Sequence, residues 1–386
     1  MAKDPKRNSD KPIGGYTDRW WMPRFWCGMN FLTFTGVLVR NRFQVHPSRI
    51  PMALVLLITS VANSVLTLLQ TLVYGWRIAR TEVREAPIFV IGHWRSGTTL
   101  LDEMLILDRR FAYPNTYACY APTHFLVSDF WMRPWARFLL AKTRPMDNMP
   151  FGWDMPQEDE FAVCNMGLPS PYLGLIFPNR PPVYQEYLDM EGVAPESLRR
   201  WKKKFLWFVK TVTVANPKRL VLKSPPHTAR IKTLLELFPD ARFIHIYRDP
   251  HVLFASTVNL WKRLSRDQGL QKPNYSGLDE IVLRTLVRMY AAFERDRELV
   301  APSRICDVNY EALVADPVGQ MRRIYESLQL GGFDEVLPAL EKYLASRADY
   351  KTNRYQLPPE KRAEVDRRWS AYMQKYGYAS AEAQSK

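Results

Sequence analysis

Between Pro51 and Trp76 the chain carries no charged residue, and the run MALVLLITSVANSVLTLLQTLVYG lies at its centre. A helix of this length reaches the ~20 apolar residues that a bilayer crossing needs. Three polar residues interrupt it, Asn63, Ser64 and Gln70. Arginines stand on both sides, Arg40, Arg42 and Arg49 before it and Arg77, Arg80 and Arg84 after it, so the flanking charge sets no orientation. The pattern therefore predicts a membrane-associated helix over 51–76, either interfacial or spanning, with a buried helix of a globular domain as the alternative. Residues 1–50 lead into it with nine Lys/Arg against three Asp, interleaved with Trp20, Trp21, Phe25, Trp26, Phe31, Phe34 and Phe43. Basic and aromatic side chains together suit a headgroup layer. The first twenty residues are polar and lack the apolar centre of a cleavable signal.

Beyond Arg84 the period changes. Pro87–Ile91 is a short apolar strand that runs into Gly92-His-Trp-Arg-Ser-Gly-Thr-Thr99 and then into the helical pattern Leu100–Leu107. Further strands are expected at Arg219–Lys223, Arg242–Tyr247 and Ser303–Val308, and helices near Thr228–Phe238, Val252–Lys262, Leu278–Leu299 and Val318–Leu328. Asp316-Pro317 announces the last of these, a capping residue followed by proline at the first helical position. This alternation predicts an α/β fold, a parallel sheet flanked by helices, over residues 86–376. Residues 111–215, rich in Pro, Trp and Tyr, read as an inserted cap, residues 1–80 as a separable N-terminal segment, and residues 377–386 as a tail. On that division the domain begins near Pro87 and folds without residues 1–80.

Composition narrows the class. A chain of 386 residues with 47% hydrophobic and 13% aromatic content builds a packed core, which excludes a disordered or fibrous protein. Four scattered cysteines, Cys27, Cys119, Cys164 and Cys306, without CxxC spacing, support neither a disulfide framework nor a zinc knuckle. A net charge of +15 points to an anionic partner: nucleic acid, an acidic bilayer surface or a phosphorylated small molecule.

The Gly92–Thr99 loop favours the last of these. A strand, a glycine turn and a helix bring backbone amides and the helix dipole to bear on a phosphate, and Ser96, Thr98 and Thr99 add hydroxyls. A nucleoside triphosphatase places lysine directly after the second glycine, and here that residue is Thr98. The nearest cation is Arg95, which suits a metal-independent, arginine-clamped site. A second constellation, Arg242-Phe-Ile-His-Ile-Tyr-Arg-Asp-Pro250 with Ser256 eight residues beyond Arg248, places an arginine at a strand's carboxyl end and a serine in the next helix. Ligands gather at that edge in such folds. The two sites together imply a ligand with phosphates at separated positions, the shape of adenosine 3′-phosphate 5′-phosphosulfate (PAPS).

With these motifs the chain resembles the PAPS-dependent sulfotransferases over residues 86–376. The likeness rests on GHWRSGTTLL, RDPHVLFAS, Leu222-Lys-Ser-Pro-Pro-His227 and Asn309-Tyr-Glu-Ala-Leu-Val-Ala-Asp-Pro317, in that family's order. The resemblance implies that Arg95, Ser96, Gly97, Thr98 and Thr99 hold the 5′-phosphosulfate. It gives Arg248 and Ser256 the 3′-phosphate, and Tyr350–Tyr355, with Arg354, the role of the basic loop that family members close over the nucleotide. No metal is implied. Lys223 stands twenty-five residues before Arg248, similar to the catalytic lysine of cytosolic sulfotransferases.

The base departs from the family pattern. Cytosolic members place a histidine two residues after that lysine, where this chain has Pro225, and His227 comes two further on. Tyrosylprotein and heparan members use a glutamate after the first helix, where Asn115-Thr116 stands here. Glu158 and Glu160, in the run Gln157-Glu-Asp-Glu160 between apolar segments, are the candidates, followed by His124, whose bland reading is a satisfied core histidine. Three consecutive acids are more often a solvated face.

The expectation is transfer of a sulfuryl group from PAPS to a hydroxyl or amine acceptor, lipid- or glycan-linked, at a membrane surface reached through residues 1–80. PAPS is made in the cytosol, which places the domain on the cytoplasmic face. The alternatives are a P-loop kinase or NTPase using Asp249 as a Walker-B-like acid, and a non-catalytic nucleotide- or RNA-binding membrane protein. Confinement of the basic, aromatic pattern to residues 1–50 argues against nucleic acid.

Overall fold

The computed structural model describes residues 22–136, 152–347 and 356–379. Five strands, β1 (Ile88–Ile91), β2 (Phe111–Ala112), β3 (Arg219–Lys223), β4 (Arg242–Tyr247) and β5 (Ile305–Asn309), form one parallel sheet in the order β2-β3-β1-β4-β5. Every residue of β1 is buried, as expected of a central strand covered on both faces. Strands β3 and β4 lie where the apolar runs put them. The two-residue edge strand β2 escapes any pattern.

Fifteen helices are described. In chain order they are α1 (Phe31–Arg40), α2 (Ile50–Arg80), α3 (Thr98–Leu105), α4 (Thr116–Tyr120), α5 (Phe125–Ala136), α6 (Asp159–Asn165) and α7 (Pro195–Ala215). They continue with α8 (Ile231–Leu237), α9 (Pro250–Gln268), α10 (Leu278–Asp296), α11 (Tyr310–Ala315), α12 (Pro317–Ser327), α13 (Phe333–Ala345), α14 (Pro359–Arg368) and α15 (Ser370–Tyr376). Asp316 caps α12 through the Gly319 N–H, with Pro317 at the first position, as its sequence announces. Asp249 caps α9, its carboxylate accepting from the His251 and Val252 N–H groups. That carboxylate is thereby engaged in holding the helix start and is not a free Walker-B-like acid.

Residues 22–80 are built into the domain. Trp26, Met29, Phe34, Met52 and Leu56 belong to the same buried cluster as Phe89, Leu222 and Phe243 of the sheet. Phe25 N–H donates to Gln268 Oε1 at 3.0 Å and Trp26 Nε1–H to Gln268 O at 3.0 Å, while Asn165 Nδ2 donates to Phe25 O at 2.8 Å. The division at residue 80 therefore cuts through packed core, because the aromatic lead-in that reads as a headgroup layer is partly turned inward. Losing one buried Trp or Phe side chain costs about 3–5 kcal/mol, against a total stability of about 5–15 kcal/mol. Deleting residues 1–80 is thus expected to yield insoluble protein that adenosine 3′,5′-bisphosphate does not stabilise. A soluble, ligand-stabilised truncation would show the core to be independent of this segment.

Candidate active site

Three strand ends meet at one edge of the sheet. Val90 pairs with Lys223 and Ile91 with His245, so the loops leaving β1, β3 and β4 are neighbours across strand spacings of ~4.8 Å. These are the loops that carry the motifs.

Glycine is required twice in the first loop. At Gly92 (φ +149°) a Cβ would meet Ile246 O at 2.4 Å, and at Gly97 (φ +110°) it would meet the Tyr310 ring at 2.4 Å. Arg95 also holds a left-handed φ of +71°, which costs a non-glycine residue ~1–3 kcal/mol and recurs at functional loops. The Gly92 N–H donates to Thr228 Oγ1 at 2.7 Å. The loop ends at the start of α3, where buried Thr98 and half-buried Thr99 open the first turn. The Ser96 hydroxyl is buried with no partner among the described residues.

The second motif closes on the first. Arg95 Nε–H donates to Ser256 Oγ at 2.9 Å, and Arg248 Nη1–H donates to Arg95 O at 3.1 Å. The Arg248 guanidinium stacks 4.0 Å over the Tyr310 ring, and its backbone is gripped by Tyr372 Oη, which accepts from Arg248 N–H at 3.0 Å and donates to Arg248 O at 2.8 Å. Arg248 Nε is buried without a partner among the described residues. Two arginines, two serines and the α3 N-terminus thus form one cationic cradle.

Beside it Lys223, 2% exposed, points Nζ at Glu158 Oε1, 3.4 Å away. Glu158 precedes α6 as its N-cap residue and keeps part of its side chain accessible. Its other oxygen accepts from Tyr172 Oη at 2.6 Å, and Tyr172 Oη accepts from Trp94 Nε1–H at 2.6 Å. A continuous hydrogen-bonded chain therefore runs from the glycine loop to the carboxylate. Trp94 and Tyr172 also floor an apolar cleft lined by Leu175, Trp261, Leu278 and Ile281.

The remaining predicted residues lie apart from this pair. Glu160 is fully buried in a fork-to-fork bond with Arg230 (2.5 and 2.9 Å) and accepts from Ser170 Oγ at 2.5 Å. Burial pushes its carboxyl up, but the Arg230 charge and these hydrogen bonds outweigh that and hold it below the usual range. The raising effect of an apolar setting is thus reversed at Glu160 by an arginine seventy positions away in sequence. His227 is fully buried, with Nε2 2.8 Å from Asp159 Oδ1 and its ring edge-on to Phe89 and Phe205. His124 has partners on both nitrogens, Ser128 Oγ at 2.9 Å and Asn63 Oδ1 at 3.1 Å, and burial lowers its pKa to about 4. It takes the bland reading, a neutral core histidine joining α2 to α5. Asn115, at the position of the glutamate in some families, caps α4. Arg354 and the Tyr350–Tyr355 loop lie outside the described residues.

Sequence reasoning missed Trp94, Tyr172 and Arg230, whose roles arise only from contacts between distant segments. It also missed Asp102 on α3, a buried carboxyl with Oδ1 unpartnered among the described residues. Burial pushes its pKa up to about 7, the Lys223 charge partly opposing this. Because the folded pKa is raised above the unfolded one, ionising Asp102 erodes stability as pH rises between about 4 and 7. Asp102→Asn is expected to raise the melting temperature of the ligand-free protein at pH 8 and to change it little at pH 4. Equal shifts at both pH values would contradict a buried, titrating carboxyl.

Comparison with known proteins identifies the family and the fold. A model described as the sulfotransferase family matches residues 87–335. The omega-hydroxy-beta-dihydromenaquinone-9 sulfotransferases Stf3 of Mycobacterium bovis and Mycobacterium tuberculosis are each 50% identical over 362 residues, covering 93% of this chain and 93% of theirs. Among solved structures, sulfotransferase STF9 from Mycobacterium avium aligns with a TM-score of 0.63 at 19% identity, over 90% of this chain and 96% of that one. Sulfotransferase STF1 from Mycobacterium tuberculosis H37Rv gives 0.63 at 18% identity, over 88% and 92%. At such identity the structures establish a shared fold, while the family match and the 50% relatives carry the assignment. The chain belongs to the sulfotransferase family and is a sulfuryl-transfer enzyme.

Proposed function

We propose that the enzyme moves a sulfuryl group from PAPS to the hydroxyl of a membrane lipid. The observation that carries this reading is the juxtaposition of the Lys223–Glu158 pair with the Arg95–Ser256–Arg248 cradle at adjoining strand ends. The residues present fit the donor. Two glycine positions leave no room for a Cβ, and two buried donors, Ser96 Oγ and Arg248 Nε, lack partners within the described protein. In this reading Arg95 to Thr99 hold the 5′-phosphosulfate, and Arg248 with Ser256 holds the 3′-phosphate. When bound, PAPS supplies the sulfuryl group and leaves as adenosine 3′,5′-bisphosphate.

The chain's own groups then divide the work. Lys223 Nζ neutralises negative charge growing on the leaving oxygen. Glu158 accepts the acceptor hydroxyl's proton, and its contact with Lys223 Nζ orients it. Tyr172, held by Trp94, fixes the Glu158 rotamer. The acceptor class is taken from the Stf3 relatives, named for a hydroxylated menaquinone derivative. The long apolar helix α2 supports an acceptor that resides in a bilayer, and we assign the domain to the cytosolic side because PAPS is made there.

Thermal shift tests the donor site. Arg248→Ala removes a charge-assisted phosphate contact worth ~1.5–3 kcal/mol, or about 10- to 150-fold in affinity. Stabilisation by adenosine 3′,5′-bisphosphate is expected to fall sharply at concentrations that just saturate the parent, and magnesium or EDTA to leave the parent's response unchanged. An Arg248→Ala protein stabilised as well as the parent, or a strict magnesium requirement, contradicts the two-phosphate site.

A further inference from the structure

Helix α2 runs 31 residues, about 46 Å at ~1.5 Å per residue, more than a bilayer crossing needs. Its polarity is inverted relative to a surface helix of a water-soluble protein. The outward stripe Ile58, Val61, Val65, Leu68, Leu72 and Trp76, spaced by three and four residues, is apolar and 50–76% exposed. Its amide side chains face the protein: Asn63 Nδ2 donates to Cys27 O and Met29 O, and Gln70 Oε1 accepts from Leu126 N–H. Such an arrangement stabilises a helix whose outer medium is itself apolar.

Both ends of α2 are tied to the same globular body. At the start Arg49 Nη2–H donates to Arg266 O at 2.9 Å, and near the end Ala79 O accepts from Lys210 Nζ of α7 at 3.2 Å. A crossing helix must set its ends on opposite sides of a ~30 Å hydrocarbon layer, which would carry the charged surface around Arg266 or Lys210 into lipid. Neighbouring α5 adds Phe130 and Trp135, 77% and 80% exposed, and α1 adds Leu32, 82% exposed. From Phe31 to Thr81 the chain has no acidic residue and five arginines, Arg40, Arg42, Arg49, Arg77 and Arg80, a charge complement to anionic headgroups.

We infer that α2 does not span the membrane but lies in the plane of one leaflet, and that the outward faces of α1, α2 and α5 form a monotopic seat on an anionic bilayer. This deepens the membrane reading above and is independent of the chemistry of the site. Tryptophan at the rim and arginine at both helix ends fit the interfacial depth such a seat requires.

Depth measurement tests it on the full chain. Val61→Cys and Trp76→Cys, labelled separately with a fluorophore, are placed in phosphatidylcholine vesicles with phosphatidylglycerol and spin-labelled lipids quenching at shallow or deep positions. Cys119, Cys164 and Cys306 are buried, and burial pushes the half-buried Cys27 thiol up to about 12, so the introduced exposed thiols are the favoured targets. The seat predicts equal, shallow quenching at both positions, and a loss of about tenfold or more in vesicle partition for Val65→Glu/Leu72→Glu. A deep label at 61 with a shallow one at 76 would show a span. Absence of quenching at both, or undiminished partition of the double variant, would remove the seat. Thermal stabilisation by adenosine 3′,5′-bisphosphate, measured on each variant, reports the fold and the donor site separately, so failure of the seat is distinguishable from failure of the proposed chemistry.

Discussion

Replacing Glu158 with glutamine is expected to lower kcat by about 10²–10⁴, the range of a positioned general base. The amide oxygen still accepts the Tyr172 hydrogen bond, so the geometry at 2.6 Å is preserved while the proton acceptor is lost. Nucleotide affinity should change little. Glu160→Gln provides the contrast. It leaves the buried Arg230 charge uncompensated, which typically costs about 3–5 kcal/mol of stability. The folded fraction of that variant should retain its rate. A Glu158→Gln enzyme with unimpaired kcat would place the base elsewhere, with Asp102 the next buried carboxyl to test.

Lys223→Ala should cost turnover about 10²–10³-fold, as for loss of one preorganised donor to a developing oxyanion, and affinity for adenosine 3′,5′-bisphosphate less than about tenfold. The asymmetry follows from a contact that strengthens as charge grows on the leaving oxygen. Lys223→Arg should rescue poorly, because a planar guanidinium cannot occupy the nearly inaccessible space of a compact ammonium. Equal losses in binding and turnover would make Lys223 a ground-state phosphate ligand.

The strand ends that carry the proposed donor motifs are legible in the chain because each motif is local. Each motif is a strand running into a turn, and the parallel order β3-β1-β4 then brings Lys223, the Gly92–Thr99 loop and Arg248 side by side. The division among acids is not legible. Glu158, Asp159 and Glu160 are consecutive, yet the first turn of α6 sends them to Lys223, to His227 and to Arg230, and only the distant partners separate their roles. Helix α7 was hidden in a region that reads as a cap, although it is a 21-residue amphipathic helix. The uncharged run of α2 shows its length in sequence but not its facing. Asn63 and Gln70, which look like interruptions of an apolar segment, are the contacts that dock it.

Transfer of radiolabel from PAPS to an ω-hydroxylated polyprenyl quinone in vesicles, with EDTA present, tests the central claim most directly. The expected result is label in the lipid fraction, one adenosine 3′,5′-bisphosphate released per sulfated lipid, and loss of both signals together in Glu158→Gln and Lys223→Ala. Transfer that persists undiminished in both variants, or that requires a divalent metal, would contradict the account.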